Sequence, residues 1–220
     1  MLLTQGCQQF GSRFGRIQEN ANMITLYHRP KTRSSRFLWL LEELGAPYEI
    51  KQVTTRTPQG GAVDPANPHP HGKVPAIKDS DDGTVVFESP AIVLYLTDKF
   101  PTAGIGPTVG GAKRGAYLSW LAYYGSVMEP AFMSKFMNWD VPVGTAGWVK
   151  VEEAMAFVIK TLTGSPYLAG DTFTGADVLY ASTFALFANN PMMPKSPVIE
   201  GYIARCIARP AFARGMEKDG

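Results

Sequence analysis

Cysteine is scarce in this chain, and Cys7 and Cys206 are the only two among 220 residues. They lie in different regions, and neither belongs to a Cys-x-x-Cys pair or to a cysteine and histidine spacing typical of a metal site. We therefore expect no bound metal, and we interpret Cys206, on an apolar helix face, as a core residue. The same cysteine usage favours a reducing cytoplasm.

The sequence also has no large net charge and no long apolar run at its N-terminus. The 21 lysines and arginines against 19 acidic residues leave a net charge of +2, and no basic run concentrates it, so we expect no nucleic-acid partner. Residues 1–22 have no continuous apolar stretch, fit neither a signal peptide nor a membrane span, and are predicted to be a disordered extension. A strand pattern begins directly after Met23, so the sequence leaves open whether this extension belongs to the mature protein.

Apolar sequence is ample, with 45% hydrophobic and 18% charged residues, which suits a packed protein of one large domain or two small ones. In the first half, alternation predicts strands, helical spacing predicts two helices, and Asp81-Asp82-Gly83 is interpreted as a hairpin turn. The strands are predicted at 24–28, 48–53, 74–77 and 85–87, and the helices over 37–44 and 90–100.

The stretch 101–111 is rich in glycine and proline, and every periodic segment after it is helical. We therefore predict a linker there, between an α/β domain at 23–100 and an all-α domain at 112–220. Thr174 and Asp177 have the spacing of a helix capping box. The predicted helices are 112–128, one from about 130, 147–163, 178–187 and, as the last one, 197–207.

Two local patterns indicate a peptide-binding site. Pro75 cannot donate a ladder hydrogen bond, so it belongs at a sheet edge, where Val74 would offer its amide and carbonyl to an extended peptide. Ser89 begins a helix, where free amides favour an anion. The alternatives are an ordinary turn proline, a serine that only caps its helix, and, for Lys73, a solvated loop lysine.

These patterns occur in a recognisable order. The run Thr32-Arg33-Ser34-Ser35-Arg36, then His69-Pro70-His71-Gly72-Lys73-Val74-Pro75, Glu88-Ser89 and Thr174-x-x-Asp177 together resemble cytosolic glutathione transferases of the bacterial and fungal type that use a serine or threonine hydroxyl. The resemblance covers about residues 23–213. It implies a thioredoxin-like N-terminal domain, an all-helical C-terminal domain, a cis bond before Pro75 and a homodimer.

The resemblance also implies that glutathione is the peptide and serves as co-substrate. Its cysteine would pair with Val74 and its γ-glutamyl carboxylate would meet Ser89. Glu88 would meet its ammonium group, and Lys73 its glycyl carboxylate.

The chemistry requires a donor aimed at the glutathione sulfur, because a free thiol has a pKa of about 8.5. In relatives with serine at this turn the catalytic hydroxyl lies four residues before the arginine, which gives Thr32 here. Ser34 is the second candidate and Tyr27 a third, and Thr32 and Ser34 could instead be simple cap residues. No cysteine lies in this turn, which disfavours thiol transfer through a protein thiol.

A long aromatic helix is expected to wall the site of the second substrate, with Tyr117, Trp120 and Tyr124 as the candidates. The histidines, His28, His69 and His71, are expected in surface loops. The predicted function is conjugation of glutathione to a hydrophobic electrophile or reduction of an organic peroxide by its thiolate. The alternative is a non-catalytic binding or regulatory protein of the same fold.

Overall fold

The structure is a computed structural model that describes residues 22–56 and 62–220. The predicted disordered extension, residues 1–22, lies outside the described residues except for Asn22. The strands are β1 (Ile24–His28), β2 (Tyr48–Gln52), β3 (Ala76–Asp79) and β4 (Val85–Phe87). The helices are α1 (Ser35–Leu44), α2 (Ser89–Lys99), α3 (Arg114–Tyr123), α4 (Glu129–Phe136), α5 (Val151–Gly164), α6 (Gly175–Phe187), α7 (Pro197–Ile207) and α8 (Pro210–Glu217).

The four strands form one mixed sheet in the order β2-β1-β3-β4, with β1 parallel to β2 and antiparallel to β3. Alternation along β1 places Ile24 and Leu26 in the large core with α1 and α2, whereas Tyr27 belongs to a small cluster with Val53 and Ala76. This thioredoxin-like sheet followed by a helical region confirms the predicted fold class. The division of the chain at 101–111 stays a prediction.

Two elements of the sheet differ from the predicted bounds. β3 begins at Ala76 rather than Val74, because Pro75 has no amide to give to a ladder. The connection from β3 to β4 covers residues 80–84 and is longer than a two-residue turn, with Gly83 at φ +77°. The Gly83 amide donates to the Asp79 carbonyl at 3.0 Å and closes this loop.

The helical region begins with α3 and α4, which a π-helical turn at Tyr124–Met128 joins into one continuous run. Helix α4 begins near Pro130 as predicted, because proline is tolerated within the first helical turn. The helix predicted from 147 begins only at Val151. The capping box of α6 is present with Thr174 as the N-cap and Asp177 three residues later, as the sequence predicted.

The prediction that α7 is the last helix is wrong, because α8 follows it. Pro210 occupies the start of α8, a position where its missing amide costs nothing. Gly215 brings α8 against α1, and a Cβ there would lie 2.7 Å from the Trp39 amide nitrogen. Arg209 pairs with Glu43 at 2.6 Å and adds a polar contact to the same packing. The C-terminal end of the chain is thereby held against the start of the sheet domain.

Most described apolar side chains join one core that extends from the sheet through α1 and α2 to α6. Cys206 is fully buried in this core, as the sequence predicted. Among residues 22–56 and 62–220, the structure contains no helix with both the length and the apolarity needed to cross a membrane.

Candidate active site

The turn between β1 and α1 carries the two hydroxyls that the sequence singles out. Thr32 is partly exposed, and its Oγ1 lies 2.8 Å from Ser34 Oγ and accepts a hydrogen bond from the Ser34 amide at 3.2 Å. Ser34 is fully buried, and its Oγ also lies 2.8 Å from His28 Nδ1. Only Thr32 of this pair therefore presents its hydroxyl to a ligand.

A cavity of about 340 Å³ lies beside the turn that carries Thr32. Another cavity, of about 410 Å³, lies away from this turn, between α4 and α5. We call the cavity beside the turn the peptide cavity. It brings together all five residues predicted to bind glutathione, from two separate segments of the chain. These residues are Lys73, Val74, Pro75, Glu88 and Ser89. The rest of its lining is Arg33, His69, Pro90, Gly125, Glu129, Pro130 and Met133.

The backbone at Val74 is open to an added peptide, although the predicted position at a sheet edge is wrong, because β3 begins two residues later and lies between β1 and β4. The bond between Val74 and Pro75 is cis, as the resemblance implied. Within the described part of the chain, no hydrogen bond engages the amide or the carbonyl of Val74. Asn67 Nδ2 donates to the preceding Lys73 carbonyl at 3.0 Å and fixes this loop. An extended peptide can therefore pair with Val74.

The start of α2 forms the end of the cavity where free amides favour an anion. Glu88, not Ser89, is the N-cap residue, so the predicted cap position is wrong by one residue. Glu88 has φ +68°, a left-handed value that is uncommon for a residue other than glycine. Ser89 becomes the first helical residue, and its amide and hydroxyl lie at the positive end of the helix dipole.

A further cavity, of about 370 Å³, adjoins the peptide cavity, and we call it the apolar cavity. Thr32, Arg33, Arg36 and Tyr124 line one part of it, together with Thr183. Its apolar lining comes from α4, the end of α6 and the loop that follows: Phe132, Met133, Phe136, Leu186, Phe187 and Met192. The cavity can therefore hold an apolar molecule next to the Thr32 hydroxyl.

An ion pair stands where the two cavities meet. Arg33 Nε lies 2.8 Å from Glu129 Oε1, and both residues line both cavities. Burial lowers the pKa of Arg33, but the nearby Glu129 carboxylate more than offsets this and leaves the pKa above its usual value. Glu129 also accepts a hydrogen bond from the Tyr124 hydroxyl at 3.0 Å. Tyr124 in turn accepts one from buried Arg36.

The three aromatic residues expected at the second substrate are not brought together. Tyr124 lines the apolar cavity, but Tyr117 is fully buried and bonded to Thr97 at 3.0 Å. Trp120 stacks on Phe157 and lines neither of these two cavities. The helical period shows which face of α3 is apolar, but not that this face packs inside the core. The apolar end of α6 was the signal that sequence reasoning missed.

The expectation that the histidines occupy surface loops is wrong for two of them. His28 ends β1 and is fully buried, because it faces the core side of the sheet, and His69 is 5% exposed. Only His71 is exposed. Tyr27, the third hydroxyl candidate, is buried in the small cluster on the other face of the sheet. Among the described residues, no group of three or more potential ligands could hold a metal ion.

His28 has a partner that local sequence could not reveal. Its Nε2 lies 3.4 Å from Oδ1 of Asp219, in the C-terminal segment after α8. Burial lowers the pKa of His28, while the nearby backbone and carboxylate of Asp219 oppose this shift. The other carboxylate oxygen of Asp219 accepts from the Lys31 amide at 3.1 Å. The C-terminal segment therefore reaches the turn that carries Thr32.

Comparison with known proteins shows the family of this chain. Residues 32–99 match the family model described as the N-terminal domain of glutathione S-transferase. Glutathione S-transferase aclG of Aspergillus oryzae is 31% identical over 199 residues, covering 82% of this chain and 86% of the relative. The glutathione transferase structure from Methylococcus capsulatus is 28% identical with a TM-score of 0.71, covering 90% of this chain and 98% of that chain.

A sphingomonad glutathione S-transferase solved in complex with glutathione is 27% identical with a TM-score of 0.70, and the match covers 89% and 98% of the two chains. The chain therefore belongs to the glutathione S-transferase family. This confirms the resemblance that the motifs indicated.

Proposed function

We propose that this protein is an enzyme that binds glutathione in the peptide cavity and stabilises its thiolate with the Thr32 hydroxyl. The thiolate then attacks a hydrophobic electrophile, or reduces an organic peroxide, in the apolar cavity. The observation that carries the proposal is the position of Thr32, which lines the apolar cavity beside the Arg33 and Glu129 pair that both cavities share.

The proposed pose of glutathione follows the polar groups of the peptide cavity. Its cysteine pairs with the free amide and carbonyl of Val74, as a short added strand. Its γ-glutamyl carboxylate lies at the Ser89 amide and hydroxyl, and its ammonium group at Glu88. Lys73 binds the glycyl carboxylate at the exposed end.

Thr32 is preferred to Ser34 as the group that contacts sulfur. Ser34 has no exposed surface, whereas Thr32 is partly exposed and its Oγ1 already accepts a bond from the Ser34 amide. The Thr32 hydroxyl donates to the Arg29 carbonyl at 2.7 Å, and in this proposal it turns from that neutral acceptor to the incoming thiolate, a charged and stronger acceptor. The thiolate is stabilised by that donated hydrogen bond.

The apolar cavity defines the class of second substrate. Apolar side chains cover most of its surface, and the Arg36 guanidinium with the hydroxyls of Tyr124 and Thr183 forms one polar region. The charged side chains of Lys31, Arg33 and Glu129 also line the cavity. An apolar molecule with a single hydrogen-bond acceptor, such as a carbonyl or nitro group, matches this distribution. The acceptor would orient the reactive atom towards Thr32.

Two variants test the assignment of the hydroxyl. Thr32→Val should lower turnover of a generic aromatic electrophile about a hundredfold, the low end for removal of a donor to a developing anion. Retention on immobilised glutathione should change little. Thr163→Val, on an exposed part of α5, is the matched control and should behave as the parent protein.

The ultraviolet absorbance of bound thiolate separates the enzyme from its alternative. Retention of glutathione with no thiolate signal in the parent protein would instead support a non-catalytic binding protein. A loss of thiolate in Ser34→Ala with none in Thr32→Val would show that the wrong hydroxyl was chosen.

The proposed assembly is a homodimer and the proposed location is the cytoplasm, as the family resemblance implies. Sedimentation should then give twice the chain mass of 24.0 kDa.

A further inference from the structure

His28 and Asp219 form a polar pair that has no role in the proposed binding of glutathione. His28 Nε2 and Asp219 Oδ1 lie 3.4 Å apart, both are buried, and neither has a regular hydrogen-bond partner within the described residues. Two lone pairs facing each other in a buried site would be unfavourable, so Nε2 carries a proton. In the neutral ring, Nδ1 is then the basic nitrogen.

From that basic nitrogen a chain of hydroxyls leads to the cavity. Ser34 Oγ lies 2.8 Å from His28 Nδ1 and donates to it, and the same oxygen accepts from the Arg29 amide at 3.1 Å. Thr32 Oγ1 lies 2.8 Å from Ser34 Oγ and can donate to it. The Arg29 carbonyl is a competing acceptor, 2.7 Å from Thr32 Oγ1 and 3.1 Å from Ser34 Oγ.

We propose that His28 is the acceptor of the glutathione thiol proton, which reaches it through the hydroxyls of Thr32 and Ser34, with Asp219 as the counter-ion. This inference rests on the proposed function, because it needs the sulfur beside Thr32. The S–H bond breaks and Thr32 Oγ1 takes the proton. Thr32 passes its own proton to Ser34, and Ser34 passes its own to His28 Nδ1. No electrons are exchanged with any other reactant, and the products are a thiolate and an imidazolium.

The surroundings of His28 suit both ends of this transfer. Burial lowers the pKa of the ring, so the ring is neutral and able to accept a proton before glutathione loses one. The Asp219 carboxylate opposes that shift and stabilises the imidazolium once it forms. Thr32 ends as a donor to sulfur, with its oxygen accepting from Ser34. When the thiolate is consumed, the proton returns along the same hydroxyls to the leaving group or to water.

The path also explains two features of the structure. Ser34 is completely buried yet bonded on several sides, as expected for a group that relays a proton rather than contacts a ligand. Asp219 reaches His28 only because α8 packs closely on α1 at Gly215. The segment after α8 is therefore part of the active site although it lies outside both cavities.

The test counts protons. Glutathione is mixed with the protein at pH about 7.5, above the ordinary histidine pKa of about 6.5, while thiolate absorbance and a pH indicator are recorded together. S-Methylglutathione, which has no thiol proton, supplies the blank. If His28 keeps the proton, thiolate forms without matching proton release. If no internal acceptor exists, each thiolate releases one proton to the solvent.

Two variants remove the acceptor in different ways. His28→Asn keeps a hydrogen-bonding atom near Nδ1 but cannot take up a proton, and Asp219→Asn removes the counter-ion while keeping an oxygen for the Lys31 amide. Each should release about one proton per thiolate and lower the thiolate fraction about tenfold, as for a rise of one unit in the pKa of the bound thiol. Glu217→Gln makes the same charge change on the exposed face of α8 and should match the parent protein.

The outcomes separate this inference from the proposed function. Thiolate formation with one proton released by the parent protein overturns the relay and leaves the proposed function intact. Absence of thiolate in the parent protein overturns both. If His28→Asn does not fold, Asp219→Asn decides alone, and unchanged proton retention in that variant overturns the role of Asp219 as counter-ion.

Discussion

Replacing Asp177 by asparagine keeps the size of the side chain but removes one acceptor oxygen from a fully buried site. Oδ1 accepts from the Leu168 amide at 3.0 Å and the Tyr202 hydroxyl at 2.9 Å. Oδ2 accepts from the Thr174 amide at 2.8 Å and its hydroxyl at 2.9 Å. Whichever oxygen the amide nitrogen replaces, one backbone amide then faces another donor, whereas the hydroxyl on the same side can rotate and accept.

The magnitude follows from that unsatisfied amide. A buried donor without a partner costs about 1–3 kcal/mol, and an amide fixed by the backbone in a fully buried site is expected at the upper end, about 3 kcal/mol. That is a large part of a total stability of about 5–15 kcal/mol. Tyr202→Phe is the matched reference, because it removes one donor and leaves the Asp177 carboxylate with the rest, at about 1 kcal/mol.

Urea unfolding of the three proteins measures both differences. Burial raises the pKa of Asp177, and the four donors that face its oxygens oppose that rise. If Asp177→Asn lost less than about 0.5 kcal/mol, the carboxyl would have to carry a proton that the amide replaces, and the reasoning would be refuted. If Asp177→Asn loses about 3 kcal/mol of stability, the packing of α6 is loosened. The apolar cavity should then be less well ordered, because Leu186 and Phe187 at the far end of α6 line it.

Three further predictions concern the C-terminal packing and the apolar cavity. Gly215→Ala should cost about 2 kcal/mol by overpacking against the α1 backbone, whereas Gly201→Ala, with open space at its Cβ, should stabilise α7 by about 0.5 kcal/mol; denaturation midpoints compare them. Glu42, 13% exposed, is raised in pKa by burial, but Lys218 and Arg214 more than offset this and bring its pKa to about 2. The stabilisation from Glu42 is therefore full above its unfolded pKa of about 4.3 and is lost as pH falls towards about 2. In urea titrations, the free energy of unfolding of Glu42→Gln should be lower than that of the parent by at most about 3 kcal/mol at pH about 6, and nearly equal to it near pH 2. Phe136→Ala should raise the KM of an aromatic electrophile several-fold and leave the pKa of bound glutathione unchanged, and an altered pKa would contradict the separation of the two cavities.

The residues of the peptide cavity could be predicted because each belongs to a short pattern with its own backbone consequence. Pro75 has no amide to give to a ladder and so leaves Val74 outside β3, and Ser89 with Pro90 starts a helix, whatever the rest of the chain does. The fold then brings the two patterns to one cavity. The predicted N-cap of α2, Ser89, is wrong by one residue, because Glu88 is the N-cap and Ser89 the first helical residue.

The apolar cavity could not be predicted in the same way, because packing rather than pattern decides which apolar face stays open. Tyr117 and Phe132 both lie on apolar stripes, yet α6 covers the first and leaves part of the second lining the cavity. Helix α8 was missed for a related reason. The need for glycine at position 215 is visible only in the fold, where the α1 backbone at Trp39 leaves no room for a Cβ.

The choice between Thr32 and Ser34 shows how a distant segment changes a local interpretation. Sequence spacing ranks both hydroxyls without saying how they cooperate, because either could face a ligand from the same turn. The fold buries Ser34 between Thr32 and His28 and brings Asp219 to the far side of that ring. In the relay that we propose, the two hydroxyls are therefore not alternatives: Thr32 would contact the ligand, and Ser34 would connect it to His28, whose proposed counter-ion is Asp219.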